Sequence, residues 1–216
     1  MKIGVLGTGM VGEALGTKLV EVGHEVTMGS RTADNEHALK WVQNNGEMAR
    51  SGTFADACSF GEVVINATHG NASLKALKTA KKKDLEGKLL IDVANIINKE
   101  DDGIARVALP DGDSLGEQLQ KAFPKTNVVK TLNTISCLIM VNPRGVQGNH
   151  SVFLSGNDEV AKEQTKSLLF QFGWTADQLI DLGDITTARG PEMYLALWLR
   201  LMQKYGTPQF NISILR

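Results

Sequence analysis

Cysteine is scarce in this chain. Its 216 residues hold two, Cys58 and Cys137, with no C-x-x-C spacing and no pair of histidines nearby. That excludes a zinc framework and leaves a secreted disulfide scaffold without support. Both thiols are expected to be small buried apolar groups rather than nucleophiles. An excess of one charge is also missing. The chain has 23 Lys and Arg against 24 Asp and Glu, a net charge of −1, which argues against nucleic acid or an anionic membrane as the main partner. Lys81-Lys82-Lys83 is expected to be a solvated helix end. No apolar stretch approaches the roughly 18 residues that span a bilayer, and the N-terminal residues show no signal-peptide pattern. The expectation is a soluble, cytoplasmic protein. Repeats and low-complexity tracts do not stand out. Also absent are a G-x-S-x-G elbow, a Walker lysine, a Y-x-x-x-K pair after a serine, and any metal-ligand cluster, so no metal site is expected. These last absences bear on chemistry. An alcohol–ketone dehydrogenase needs a proton donor beside the carbonyl. Hydride transfer between two heterocyclic rings needs mainly two aligned carbons and exclusion of water.

What is present begins at the first residues. The apolar run Lys2-Ile3-Gly4-Val5-Leu6 leads directly into Gly7-Thr8-Gly9-Met10-Val11-Gly12, and Glu13 to Val22 has helical periodicity. G-x-G-x-x-G alone is a weak signal. Placed between a buried strand and a helix, it is a dinucleotide-binding signature. Gly7 allows the tight turn, Gly9 lets a pyrophosphate approach the backbone, and Gly12 lets helix and strand pack closely. The pyrophosphate would meet the positive end of the helix dipole. The second strand, His24 to Gly29, ends in Ser30-Arg31-Thr32. NAD-preferring proteins place Asp or Glu near this point to hold the ribose 2′-OH. Here a hydroxyl and a guanidinium stand instead, with Thr32 as a further hydroxyl, so NADP(H) is expected over NAD(H).

Strands and helices alternate along the chain, the pattern of a parallel sheet with helices on both faces. Strands are expected at 52–54, 63–67, 88–93 and 127–132, with a seventh at 151–155 that is antiparallel or at an edge. Helices are expected at 36–44, 72–82, 114–123, 158–172 and 187–205. Ser114 and Glu117 form a capping-box pattern. The 187–205 helix carries more apolar residues than one stripe holds, which marks a core or a subunit interface and favours a homodimer. Phe210 to Ile214 alternates like a terminal strand. A soft boundary falls near Asn142-Pro143-Arg144-Gly145. The fold expected is α/β: a Rossmann-type, doubly wound, mostly parallel sheet over 1–142, with a small C-terminal α+β appendage over 143–216 that contributes to a dimer interface.

In such sheets ligands bind beyond the carboxyl ends of the strands. Those ends carry Thr68-His69-Gly70-Asn71, Ala94-Asn95 and Asn133-Thr134-Ile135-Ser136, a sparse polar lining suited to ribose and carboxamide. His69 is the one candidate general acid. A lone loop histidine is more often a hydrogen-bonding residue, so the catalytic expectation is positioning only.

The chain resembles the NADP-dependent oxidoreductases of the deazaflavin coenzyme F420, with the NADPH-binding domains of the STEAP ferric reductases as relatives. The resemblance rests on K-I-G-V-L-G-T-G-M-V-G, on G-S-R after the second strand, on V-V-K-T-L-N-T-I, on V-F-L-S-G-N-D-E-V-A-K and on D-L-G-D-I-T-T-A-R-G-P-E. It implies that Thr8, Met10 and Val11 join the glycines around the pyrophosphate and that Ser30 and Arg31 take the 2′-phosphate. Thr68, His69, Asn133 and Ile135 would border the nicotinamide and its partner ring, in an acceptor cleft to which the C-terminal domain, 143–216, contributes. Archaeal members tend to have His at position 133 and a proline-and-tryptophan loop in place of 68–70. Both departures lie where the second ring would sit. The acceptor is therefore open between coenzyme F420 or a flavin and another small molecule such as an imine, a carbonyl or a ferric chelate. A non-catalytic NADP sensor is a third reading.

Overall fold

The computed structural model describes residues 1–99, 105–107 and 112–215. The opening run forms β1 (Lys2–Leu6), followed by α1 (Met10–Glu21), β2 (Glu25–Ser30) and α2 (Glu36–Asn45). The third strand, β3 (Ala49–Thr53), begins earlier than expected and stops at Thr53. There the Thr53 hydroxyl and the Asp56 carboxylate form a reciprocal capping box that opens α3 (Phe54–Phe60). Then come β4 (Val63–Asn66), α4 (Gly70–Leu77) and β5 (Leu89–Asp92). The helix expected over 72–82 is thus two pieces, α4 and a 3₁₀ turn at Lys82–Asp84. Lys81, Lys82 and Lys83 are exposed.

β6 (Ile97–Lys99) and β7 (Ala105–Val107) pair antiparallel on their own. The capping box of Ser114 and Glu117 is present in full and opens α5 (Leu115–Ala122). β8 (Asn127–Thr131), α6 (Cys137–Val141), β9 (Val152–Gly156), α7 (Glu159–Gln171), β10 (Leu179–Asp181) and α8 (Arg189–Tyr205) complete the order. The first residues expected in the last helix form a separate 3₁₀ turn, Ile185–Ala188.

The main sheet runs β10-β9-β8-β5-β4-β1-β2-β3. Every pairing is parallel except β8 with β9. From β3 to β8 this is the doubly wound dinucleotide-binding order, with its switch point between β1 and β4. Alternation along each strand divides the core between two faces. Ile3, Val63, Ile65, Leu89 and Ile91 pack with α1 residues Leu15 and Leu19 on one side. Leu6, Val64, Leu90 and Val128 pack with Leu77, Leu115 and Leu119 on the other.

The boundary near residue 142 falls in the turn after α6. Beyond it β9 and β10 extend the same sheet, and Val152, Leu154, Leu168 and Phe172 share the first face's core. The seventh strand is antiparallel, as expected, and is covered by β10 rather than lying at the edge. Phe210 to Ile214 is not a strand. It runs beside residues 149–151 through single contacts, Ser151 N–H to the Ile212 carbonyl (2.8 Å) and Asn211 Nδ2 to the Ser151 carbonyl (2.9 Å). The neighbouring segment precedes β9 and offers no ladder.

Candidate functional site

The β1–α1 turn has the shape a dinucleotide needs. Gly7 sits at φ 117°, and a Cβ there would lie 2.5 Å from the Ala67 carbonyl oxygen. A Cβ on Gly12 would strike the Gly7 carbonyl oxygen, so α1 can approach β1 only with glycine at 12. Gly9 is different: a Cβ there would meet nothing. Gly9 is also the N-cap of α1 and has no side chain to cap it, so the first-turn N–H groups face the open space in front of it. The residues present therefore fit a pyrophosphate. Thr8 and Val11 are half-buried around this turn, and Met10 is exposed.

At the tip of β2, Ser30 is buried. Its hydroxyl donates to the Thr32 carbonyl and accepts from the Thr32 N–H (3.3 Å). That local turn shapes the loop and presents Arg31 and Thr32, both exposed. The guanidinium of Arg31 is exposed, whereas the Ser30 hydroxyl is already engaged within the turn.

A cavity of about 1190 Å³ opens at the carboxyl ends of the central strands. It brings together Gly9, Met10, Val11, Thr68, His69, Ala94, Asn95, Asn133 and Ile135. Gly7, Thr8, Gly12, Ser30, Arg31 and Thr32 lie outside its lining. Thr68 donates to Asn66 Oδ1 (2.7 Å) and shares a hydrogen bond with Ser73 (2.9 Å). His69 is the exposed N-cap residue of α4. Asn95 and Asn133 bridge the ends of β5 and β8: Asn95 Nδ2 donates to the Asn133 carbonyl (2.7 Å), and Asn133 Nδ2 donates to Asn95 Oδ1 (3.0 Å). Between β8 and Asn133 stands Leu132 at φ 61°, buried and left-handed. For a branched residue this conformation costs about 1–3 kcal/mol and persists only where its surroundings enforce it.

The opposite wall comes from the segment after residue 142; which of its residues face the cavity was not legible in the sequence. It is made by Leu195, Trp198 and Met202 of α8 and by Pro208, with Cys137 and Leu138 of α6 beside them. Cys58 is buried, as expected, and burial pushes its thiol up to about 12. Cys137 is only partly buried and lines the cavity. Two lining groups, Ser136 Oγ and Trp198 Nε1, are buried and have no hydrogen-bond partner among the described residues. Such groups are costly unless something fills their need, which fits a ligand bearing polar edges.

Beneath the floor lies a charged cluster that the strand reading missed. Lys130, fully buried on β8, donates to Asp92 Oδ2 (2.8 Å) and pairs with Glu192 Oε1 (3.0 Å) of α8. Burial pushes its ammonium down, but the two carboxylates more than offset this and hold its pKa above the ordinary lysine value. The visible signal was one polar residue near the end of each apolar run: V-V-I-N, L-L-I-D and V-V-K-T. Among the described residues there is no metal-binding group of His, Cys, Asp and Glu, and no helix is long and apolar enough to cross a membrane.

Residues 2–96, from β1 through β5, match the family described as NADP oxidoreductase coenzyme F420-dependent. A crystal structure of a candidate F420-dependent NADP-reductase from Arthrobacter sp. FB24 is 43% identical, covers 100% of both chains and superposes with a TM-score of 0.92. The chain belongs to this family. It is thereby a member of an NADP-dependent oxidoreductase family with a Rossmann-like fold. Metalloreductase STEAP3 of Rattus norvegicus is 31% identical over 96% of this chain, and the match spans only 38% of that longer protein. A reductive aminase from Aspergillus terreus, solved with NADPH, is 18% identical over 95% of this chain and 61% of its own, with a TM-score of 0.63, a likeness of fold alone.

Proposed function

We propose that the protein transfers a hydride between NADP(H) and a planar flavin-type or deazaflavin ring such as coenzyme F420. The observation that carries this reading is the cavity itself. It runs from the open face of Gly9, past the strand-end residues Thr68, Ala94 and Asn133, to the apolar wall of Leu195, Trp198 and Met202. NADPH, when bound, supplies the hydride. The chain's residues do the rest: Gly9 and the first turn of α1 hold the pyrophosphate, Arg31 grips the 2′-phosphate, and Ile135 and the α8 wall keep water from the ring faces. The linked amides of Asn95 and Asn133 fix the floor. Carbon-to-carbon hydride transfer needs no buried acid–base side chain, and the proton that completes reduction of the ring comes from solvent.

The test is an acceptor screen with purified protein and NADPH against deazaflavin, FMN, FAD and ferric chelates. Oxidation of NADPH by a ring acceptor supports the reading. Tight NADPH binding with no oxidation by any acceptor would refute it in favour of a sensor. A second reading, reduction of an imine or carbonyl, is favoured by one observation: His69 is exposed at the cavity lining. It predicts that His69→Ala abolishes turnover while NADPH still binds. We further propose that α8 joins two copies of the chain, since Met193 and Leu197 are each 54% exposed and Tyr205 62%. Light scattering that finds a monomer would remove that proposal.

A further inference from the structure

We propose that Glu192 and Lys130 are positioning residues for hydride transfer: their buried ion pair sets α8, the acceptor-side wall, in register with the strand ends that form the ring floor. The proposal rests on the reading above that transfer occurs in this cavity.

Three strands contribute one polar row. Asn66 of β4 lies opposite Asp92 of β5 in the sheet register, and Asp92 lies opposite Lys130 of β8. All three are fully buried or nearly so. Asp92 Oδ1 accepts from Asn66 Nδ2 (2.7 Å) and from the Ala94 N–H (3.2 Å), while Oδ2 takes Lys130. Lys130 also donates to the Ala94 carbonyl. Asn66 Oδ1 in turn accepts from Thr68. Two cavity-lining residues, Thr68 and Ala94, are therefore held from below by this row.

Glu192 brings in the other wall. One of its oxygens accepts from the Gly116 N–H (3.1 Å) and pairs with Lys130, and the other accepts from the Leu115 N–H (2.8 Å). Leu195 follows one turn later on the same face of α8, and Trp198 and Met202 continue it. A shift of α8 along its axis would break the Lys130 contact, so the charge fixes the helix in one register. The strained Leu132 lies two residues past Lys130 and just before Asn133. Lys130 on one side and the Asn95–Asn133 bridge on the other bracket it.

Stability alone is a poor reason for such a cluster. Well-packed apolar replacements of a buried ion pair are often neutral or stabilising. A cluster that spans both walls of one cavity is suited instead to geometry, where an error near 1 Å costs about 100-fold in rate.

The experiment compares wild type, Glu192→Gln and Glu192→Asp in single-turnover oxidation of NADPH, using the ring acceptor that wild type turns over fastest. Glu192→Gln should slow transfer by about 10–100-fold while the NADPH dissociation constant moves by less than about twofold. Glu192→Asp, which keeps the charge, should recover part of the rate. Lowered melting temperature with an unchanged transfer rate per folded molecule would overturn the proposal. Hydrogen exchange on the wild type gives a second test that needs neither a variant nor an acceptor. NADPH binding should slow exchange in 189–205 and 127–133 together. Protection that leaves 189–205 unchanged would also overturn the proposal. A wild type that reduces no acceptor refutes the proposed function and this inference with it, whereas an active wild type whose transfer rate is unchanged by Glu192→Gln refutes this inference alone.

Discussion

Lys130→Met removes one ammonium from the protein interior and keeps nearly the same side-chain length. The ammonium has three acceptors, Asp92 Oδ2, Glu192 Oε1 and the Ala94 carbonyl, and its side chain is 0% exposed. After substitution the two carboxylates stay buried without a cation between them. Breaking a buried pair from one side costs about 3–5 kcal/mol. The lower half of that range applies here. Glu192 keeps the N–H groups of Leu115 and Gly116, and Asp92 keeps Asn66 and the Ala94 N–H. A loss of about 3–4 kcal/mol is expected, a large share of the 5–15 kcal/mol that holds a typical domain folded. Urea unfolding followed by circular dichroism reads it directly. The midpoint should fall with the slope unchanged, because the same surface is exposed on unfolding. Asp92→Asn made on the Lys130→Met background should cost less than it does alone, by about 0.5–3 kcal/mol, because the residues share one network. If Lys130→Met loses under about 1 kcal/mol at constant slope, Lys130 is not the cation that stabilises these carboxylates.

Other outcomes follow from the same geometry. Arg31→Ala should weaken NADPH binding by about 1.5–3 kcal/mol, the scale of a hydrogen bond to a charged group, and leave NADH almost unaffected. Equal losses for both cofactors would contradict the 2′-phosphate role. Gly9→Ala should fold with a loss of no more than about 1 kcal/mol, a capping effect, yet bind NADPH about tenfold more weakly, or 1.4 kcal/mol. Gly12→Ala should do the reverse and lose about 1–3 kcal/mol of stability through overpacking against Gly7. Calorimetry with and without NADPH separates the two. Burial pushes the pKa of His24 below its usual value, with its Nε2 2.8 Å from Gln171 Oε1. A histidine lowered in the folded state contributes stability above its unfolded pKa of about 6.5 and loses it as pH falls through the folded value. Stability should therefore drop as pH falls below about 6.5, and His24→Gln should flatten that slope in urea titrations.

Much of the fold was legible because its signals are local. The glycine spacing, the Ser114–Glu117 box and the apolar runs of β1, β4, β5 and β8 each act within a few residues. Their alternation orders a doubly wound sheet. Errors fell where a neighbour decides. The third strand's end depends on Asp56 reaching back to Thr53. Phe210 to Ile214 alternates like a strand but has no ladder to join. Cys137 and Trp198 gave no sign in the sequence of facing one cavity.

From residue order alone came the dinucleotide turn, the Ser-Arg-Thr end of β2 and the strand-end amides, since backbone conformation and hydrogen-bonding capacity are properties of single residues and short spacings. The three-dimensional arrangement decided which of those groups meet, that α8 closes the cavity, and that Lys130 is charged in the interior. The charge state of a buried lysine depends on partners distant in sequence, Asp92 and Glu192, and those become neighbours only when the sheet and α8 pack together.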